Sequence, residues 1–296
     1  MSTGRGPVGR RHEGRVDGRR VVWWSAGEGP VVLFLHGWAL SPASYRAGLA
    51  RVAARGARVV APALPGFGGS DQLPEAELTL TGFARWVAAF LDSVGADGPV
   101  TVVGHSFGGG VAVRLAHDAP DLVSRLVLVN SIGGAVWATG PEGPRLMSER
   151  PWWDWGMHLQ ADLDPGRLLG RVVPVILSDA ATNALRNPVA VWKVAELART
   201  ADLREELEEL RRRRLPVVVL WGRQDRVLPE ASLAALRLAL GEAAVRTVDG
   251  SHSWLITDPD AFTEVLTNVL TDGSVHPLDE DTAPDGDAPE VDAPAS

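Results

Sequence analysis

The sequence contains no cysteine among its 296 residues. Disulfide bonds, thiolate metal sites and a cysteine nucleophile are therefore excluded. No apolar run reaches the length of about 18 residues that a transmembrane helix needs, so we expect no membrane span. Residues 1–20 are rich in arginine and glycine and lack the apolar centre of a secretory signal, so a cytoplasmic location is the default expectation.

The sequence also lacks an excess of basic residues, with 29 Lys and Arg against 37 Asp and Glu. Eight of the acidic residues lie in residues 272–296, which contain neither Lys nor Arg, so the charges of the remaining chain balance. We predict that this acidic tail is disordered and solubilising, with a docking role as the alternative. The only basic run, residues 211–214, closes a Glu-rich helix, where cations complement the helix dipole, so we expect no nucleic-acid partner.

Short β-forming runs alternate with helical patterns along most of the chain. The continuous apolar runs 100–103, 126–129 and 217–221 are typical of parallel strands that are covered on both faces. Further strands are predicted at residues 20–25, 31–35, 58–61 and 245–248. This order predicts an α/β fold with a doubly wound, mostly parallel sheet of the eight-stranded type, in which the first two runs form a leading antiparallel pair.

One stretch interrupts this alternation. Residues 131–205 show no convincing pair of strands and are too long to connect two neighbouring strands. We predict that they form an inserted helical cap over the carboxyl edge of the sheet, which divides the core into residues 19–130 and 206–271. Its tryptophans either line an apolar pocket or pack the cap onto the core. Residues 1–18 are predicted to be a disordered arm.

The most informative motif is G-H-S-F-G at residues 104–108. It follows the strand at residues 100–103 and precedes a helical run of small residues. In such a strand–turn–helix setting, G-x-S-x-G is typical of a nucleophile elbow, a sharp turn that exposes a serine hydroxyl above the sheet. The flanking positions require glycine because a Cβ there would collide with the neighbouring strand or helix. Ser106 is therefore a candidate nucleophile, and a glycine-rich turn with an uninvolved serine is the alternative.

A serine hydroxyl needs a base to remove its proton and a third group to orient that base. Among the seven histidines, His252 lies in a flexible loop after the last strand, and we predict that it is the base. Asp225 follows a buried strand and a glycine, and we predict that it orients His252; capping of a local turn is its alternative role. The alternative position for the acid is the end of the preceding strand, but that residue is Asn130, whose side chain is neutral. Asp249 is too close to His252 in the sequence to reach its far nitrogen.

Backbone amides complete the predicted site. The N–H groups of Trp38 and Phe107 are predicted to form an oxyanion hole, with Trp38 as a possible pocket wall as well. The glycine-rich residues 64–71 lack the Lys and Ser/Thr of a P-loop and the spacing of a dinucleotide-binding motif. We therefore predict a tight structural loop rather than a phosphate site.

Taken together, these motifs resemble the α/β-hydrolase fold superfamily over about residues 20–270. The segments that carry the resemblance occur in the family's order: H-G-W at 36–38, P-G-F-G-G-S at 65–70, G-H-S-F-G-G at 104–109, G-R-Q-D at 222–225 and G-S-H at 250–252. The resemblance implies that Ser106 is the nucleophile, Asp225 the acid and His252 the base, and that catalysis needs no cofactor and no metal.

The same resemblance narrows the range of reactions that we expect this protein to catalyse. Epoxide hydrolases and haloalkane dehalogenases carry an aspartate where Ser106 stands. Epoxide hydrolases also use tyrosines of the cap, whereas the single tyrosine here, Tyr45, lies outside the predicted cap. Neither of these two chemistries therefore fits the sequence. The main hypothesis is a serine hydrolase that cleaves a small carboxylic ester or lactone with an apolar body through an acyl-enzyme. A carbon–carbon bond hydrolase, an acyltransferase or a perhydrolase with the same three residues stays open, as does a non-catalytic ligand-binding protein on this fold.

Overall fold

The computed structural model describes residues 9–96, 98–141, 143–162, 173–241 and 244–271. The strands are β1 (Arg10–Val16), β2 (Arg19–Ala26), β3 (Val31–Leu35), β4 (Arg58–Pro62), β5 (Val100–His105), β6 (Val123–Val129), β7 (Val136–Gly140), β8 (Gly143–Leu146), β9 (Val217–Gly222) and β10 (Ala244–Val248). The helices are α1 (Pro42–Ala54), α2 (Leu80–Ser93), α3 (Phe107–Asp118), α4 (Trp152–Asp162), α5 (Val173–Arg186), α6 (Pro188–Thr200), α7 (Arg204–Arg212), α8 (Glu230–Leu240), α9 (Trp254–Thr257) and α10 (Pro259–Thr271). No helix in these ranges is long and apolar enough to cross a membrane.

Eight strands form one sheet in the order β1-β2-β4-β3-β5-β6-β9-β10. Six neighbouring strands of this sheet are parallel, namely β4, β3, β5, β6, β9 and β10. This confirms the predicted mostly parallel sheet. The predicted antiparallel pair of residues 20–25 with 31–35 is wrong, because β4 lies between β2 and β3. The antiparallel partners of β2 are β1 and β4, so the short connection between β2 and β3 does not make a hairpin.

The prediction of a disordered arm over residues 1–18 is wrong for residues 10–16, which form the edge strand β1. Its polar composition indicated disorder, but its backbone pairs with β2 over the whole strand. Three side-chain contacts add to this pairing: His12 stacks on Trp23 with a centroid distance of 5.1 Å and lies 2.8 Å from the Ser25 hydroxyl, and Glu13 pairs with Arg20. Residues 1–8 and the predicted acidic tail lie outside the described residues.

Alternate residues of the central strands face two separate cores. In β3, Leu33 and Leu35 pack against the layer that includes α2 and α3, whereas Val32 and Phe34 pack against α1 and α10. This period of two on a sheet covered by helices on both sides explains why the strands are apolar throughout. The sheet is thereby doubly wound, as predicted.

Residues 131–203, here named the inserted segment, separate β6 from α7 and β9. The prediction that this region has no strand pair is wrong, because β7 and β8 form a short antiparallel hairpin. These strands contain Gly, Pro and Arg and bury only Val136, so they lack the apolar alternation that signals a strand. The hairpin precedes the helices α4, α5 and α6.

Candidate active site

Ser106 occupies a strained turn between β5 and α3. Its backbone has φ 52° and ψ −116°, a conformation that is rare for a residue with a Cβ. Its side chain makes no capping hydrogen bond to α3, and its amide donates to Val129 at the end of β6. The serine is half-buried, so its hydroxyl is held above the carboxyl edge of the sheet without being committed to the helix terminus.

The predicted steric role of the glycines around Ser106 is confirmed. A Cβ on Gly104 would meet the carbonyl oxygen of Gly108 at 2.5 Å, and a Cβ on Gly108 would overlap the carbonyl oxygens of Leu35 and His36. The turn can therefore sit against both its own helix and β3 only when these two positions lack side chains.

Asp225 and His252 lie together beside this turn. The Nδ1 atom of His252 is 2.8 Å from Oδ2 of Asp225, and both side chains are nearly inaccessible to solvent. The second carboxylate oxygen, Oδ1, accepts from the backbone amides of Val227 and Leu228, each at 2.9 Å. These two bonds fix the rotation of the carboxylate, so that Oδ2 faces the imidazole.

Asn130 adds a neighbour to this pair that the sequence argument did not assign. Its side-chain oxygen accepts from the indole N–H of Trp254 at 2.8 Å and from the amide of Gly222 at 3.3 Å. Since these partners can only donate, the other end of the amide is the nitrogen, which donates to Oδ2 of Asp225 at 2.5 Å. Its backbone has φ 42°, a conformation that asparagine adopts more readily than most residues, but nothing in the sequence around it indicates this contact.

Trp38 lines the same cavity as Ser106, and Phe107 follows Ser106 directly in the chain. Phe107 is the first residue of α3, and Trp38 follows β3 by three residues. Within the described part of the chain, neither amide donates a hydrogen bond to another protein group. Among the described residues, the backbone donors of these two residues thus have no protein acceptor.

His36 controls the direction of the Trp38 amide. Leu64 donates its amide to Nε2 of His36, so Nδ1 carries the hydrogen and donates to the Gly37 carbonyl at 2.8 Å. In the trans peptide between Gly37 and Trp38, the N–H points opposite to that carbonyl. Burial lowers the pKa of His36 to about 4, so this imidazole is neutral and keeps the single hydrogen that the arrangement requires.

Several amides of the glycine-rich residues 64–71 donate to other protein groups, inside the loop and outside it, in agreement with the structural loop predicted for these residues. Phe67 and Ser70 donate to carbonyls of the same loop, Asp71 donates to Arg20 on β2, and Gly68 donates to the side chain of Asn183 on α5. These amides do not converge on a phosphate position.

A cavity of about 110 Å³ opens beside Ser106 and His252. The core contributes Trp38, Leu40 and Leu228 to its wall. The inserted segment contributes Met147, Trp155, Ile176, Ala180, Ala198 and Arg199. The wall is predominantly apolar, and the described residues include no group of three His, Asp or Glu side chains that could hold a metal ion.

Polar contacts hold the inserted segment over this edge of the sheet. On α5, Asp179 accepts from the amide and hydroxyl of Ser41 and from the hydroxyl of Ser44, each within 2.9 Å. Arg150, only 3% exposed, pairs with Asp154 and donates to the carbonyls of Arg226 and Val227. The second contact reaches the turn that carries the Asp225 carboxylate.

Residues 30–259 match the model of a protein family described as the alpha/beta hydrolase fold. The chain is 30% identical over 264 residues to a pimeloyl-[acyl-carrier protein] methyl ester esterase of Aromatoleum aromaticum, covering 81% of this chain and 98% of the relative. It is 28% identical to a putative non-heme haloperoxidase of Mycobacterium phage D29, covering 86% and 93%. The crystal structure of a bromoperoxidase from Bacillus anthracis superposes with a TM-score of 0.72 at 21% identity, covering 89% of this chain and all of that chain. Together with the eight-stranded sheet, the family match shows that this chain belongs to the α/β-hydrolase fold family.

Proposed function

We propose that the protein is a serine hydrolase that cleaves a carboxylic ester or lactone with an apolar body through an acyl-enzyme. The observation that carries the proposal is the juxtaposition of three groups. Ser106 stands in a strained turn, His252 lines the same cavity, and the Asp225 carboxylate lies 2.8 Å from the far side of that imidazole.

In the proposed reaction, Ser106 attacks the substrate carbonyl while His252 takes the hydroxyl proton. Asp225 keeps the imidazole in the tautomer with hydrogen on Nδ1, and the bonds from Val227 and Leu228 hold the carboxylate in place. His252 then returns the proton to the leaving alcohol. Water resolves the acyl-enzyme with His252 again as the base.

The amides of Trp38 and Phe107 are proposed to hold the negative oxygen of the tetrahedral intermediate. Each such donor typically lowers the barrier by about 2.7–4 kcal/mol. The proposal is supported by two observations: both amides lack an acceptor within the described part of the chain, and His36 fixes the peptide that contains one of them.

An apolar substrate is supported by the cavity wall. Trp38 and Trp155 lie with ring centroids 5.3 Å apart, and Met147 and Ile176 line the same space. Apolar walls with a few polar groups are typical of small-molecule sites. In this proposal the inserted segment acts as a cap that selects the substrate, and the relative named as a methyl ester esterase supports ester cleavage.

Replacement of Ser106 by alanine tests the proposal. Since both residues carry a Cβ, the strained turn is equally strained in Ser106→Ala, and the melting temperature should stay unchanged. Hydrolysis of p-nitrophenyl esters and labelling by a fluorophosphonate should both be lost, whereas Ser93→Ala on α2 retains both. Turnover or labelling that persists in Ser106→Ala would refute the assignment, and a wild-type protein that is never labelled would indicate a ligand-binding protein.

A second candidate reaction is perhydrolysis, in which hydrogen peroxide rather than water resolves the acyl-enzyme. It is supported by the relative named as a putative non-heme haloperoxidase. Product partition separates the two. A hydrolase forms the free acid at an unchanged rate as peroxide is added, whereas a perhydrolase diverts the acyl group to the peracid in proportion to the peroxide concentration.

A further inference from the structure

A buried hydrogen-bonded network, here named the Tyr45–His105 network, joins the loop after β3 to the loop after β10. The amide of Gly37 donates to the Tyr45 hydroxyl oxygen at 3.1 Å. That oxygen lies 2.8 Å from Nδ1 of His105, and Nε2 of His105 lies 3.1 Å from the backbone carbonyl oxygen of His252. Its two ends are thus the residue before Trp38 and the backbone of the proposed base.

The partners determine the position of every hydrogen in this network. A carbonyl oxygen can only accept, so Nε2 of His105 carries the hydrogen and Nδ1 accepts from the Tyr45 hydroxyl. Burial, and then the neighbouring His252, hold the pKa of His105 well below its usual value, and burial raises the pKa of Tyr45. Both groups are therefore neutral, and all the bonds run in one direction.

The sheet does not hold these two loops together directly. Three strands, β5, β6 and β9, separate β3 from β10, so no backbone ladder links the Gly37 loop to the His252 loop. Tyr45 and His105 are each only 2% exposed, so water does not replace their bonds. The network is thus a direct connection across the middle of the sheet's carboxyl edge.

We propose that Tyr45 and His105 are positioning residues that set the distance between the proposed oxyanion amide of Trp38 and the proposed base His252. This assignment rests on the function proposed above. Neither side chain needs to touch the substrate. Tyr45 acts by holding the backbone of Gly37, the neighbour of Trp38, and His105 acts by holding the backbone of His252.

The main test is Tyr45→Phe, which removes one oxygen atom and leaves the ring and its packing in place. The amide of Gly37 and Nδ1 of His105 then lose their buried partner. Small displacements of reacting groups cost up to about 100-fold in rate, so we expect kcat to fall about 10- to 100-fold. KM should change by less than about twofold, because the cavity wall is unaltered.

Thr263→Val is the matched control. Thr263 is 3% exposed on α10, and its hydroxyl bonds to the carbonyl of Pro259, away from Ser106. This variant also loses one buried hydroxyl and should be less stable, but its kcat at a temperature well below both melting points should equal that of the wild type. A merely structural role for Tyr45 would give the same result in Tyr45→Phe.

Three further measurements separate positioning from packing. In histidine-labelled protein, ¹⁵N NMR should report the Nε2–H tautomer for His105, and this signal should shift in Tyr45→Phe but not in Thr263→Val. His105→Gln, which retains a donor, should recover part of the kcat that is lost in His105→Leu. The double variant Tyr45→Phe/His105→Leu should lose no more kcat than the worse single variant, since members of one network are not additive.

The outcomes distinguish the two proposals. If kcat of Tyr45→Phe equals that of Thr263→Val while Ser106→Ala is inactive, the positioning role is overturned and the proposed function stands. If Ser106→Ala retains turnover, both fall. Loss of kcat in Tyr45→Phe at constant KM, together with an inactive Ser106→Ala, supports both.

Discussion

The side-chain amide of Asn130 donates to Oδ2 of Asp225, the same oxygen that faces Nδ1 of His252. The carboxylate therefore has four hydrogen-bond partners, two on each oxygen. Asn130 is completely buried, and the donors from Trp254 and Gly222 fix which end of its amide faces the acid. A neutral residue at this position thus stabilises the negative charge that the proposed mechanism requires.

Asn130→Asp is expected to impair this arrangement while keeping nearly the same shape. The new carboxyl group faces Asp225 at close range, and two like charges cannot both be ionised there. We expect kcat/KM for a p-nitrophenyl ester to fall by at least about 10-fold at neutral pH.

Asn268→Asp provides the control, since Asn268 is exposed on α10 and lies outside the site. It should retain the activity of the wild type. Equal kcat/KM in both variants would contradict a role for Asn130 in holding Asp225.

Arg150 provides the next prediction, because its buried guanidinium connects the inserted segment to the turn after Asp225. Arg150→Met leaves the carboxylate of Asp154 and the carbonyls of Arg226 and Val227 without this donor. We expect the free energy of unfolding to fall by about 3 kcal/mol, as is typical when one partner of a buried ion pair is removed. Urea denaturation measures the change.

Arg204→Met is the matched comparison, since Arg204 and Asp202 form an ion pair in which each side chain is more than two-fifths exposed. Exposed pairs contribute about 0–1 kcal/mol, so this variant should be close to the wild type in stability. The structural interpretation of Arg150 would be refuted by similar losses in the two variants.

Continuous apolar strands and the residues beside them could be predicted from the sequence. The runs that became β5, β6 and β9 are apolar because both faces are covered, and Ser106 and Asp225 follow two of them closely. The carboxyl ends of parallel strands meet at one edge, so their loops converge. This geometry is why candidate residues from four separate chain segments could be assigned to one edge from the sequence.

Elements whose stability comes from pairing rather than composition could not be predicted in this way. The edge strand β1 is polar, and the hairpin of β7 and β8 contains glycine and proline, so neither shows an apolar alternation. The roles of Tyr45, His105 and Asn130 depend on contacts between residues that are 60 to 147 positions apart in the chain. No local pattern specifies such contacts.

Adding a single methyl group at Gly108 tests how tightly the turn at Ser106 is packed. In Gly108→Ala the new Cβ would overlap the carbonyl oxygens of Leu35 and His36, which belong to the backbone and cannot move aside easily. We expect a loss of more than about 3 kcal/mol in the free energy of unfolding, or no folded protein at all.

Gly156→Ala is the opposite case, because Gly156 lies inside α4 and, apart from its chain neighbours and the backbone of its own helix, no described atom lies within 4 Å of the position that its Cβ would take. Alanine favours a helix over glycine, so this variant should gain about 0.5–1 kcal/mol. A destabilised Gly156→Ala, or a Gly108→Ala as stable as the wild type, would contradict the described packing.

The two buried histidines His36 and His105 make the stability of the fold depend on pH. In the unfolded chain a histidine titrates near a pKa of about 6.5. In the folded protein burial lowers the pKa of His36 to about 4 and that of His105 well below its usual value. Between these pKa values the unfolded state binds protons that the folded state does not, so stability falls as the pH falls.

This contribution is complete above the unfolded pKa and is lost as the pH falls from there towards the folded pKa. For His36 alone the loss between about pH 7.5 and pH 5 is roughly 2 kcal/mol, and His105 adds a loss of the same sign. Urea denaturation at several pH values in this range measures it. Most carboxylates remain ionised down to about pH 5, so the slope in this window reports chiefly on histidines.

Proton uptake on unfolding tests the assignment, because an imidazole that is buried in the neutral form gains a proton when unfolding exposes it to water at about pH 5. Since His36 and His105 each gain nearly one proton on unfolding at about pH 5, the wild type should take up between one and two protons there. A free energy of unfolding that is constant from about pH 7.5 to 5 would show that the two imidazoles are not buried in the neutral form, and the hydrogen-bond directions assigned to His36 and His105 would then be wrong.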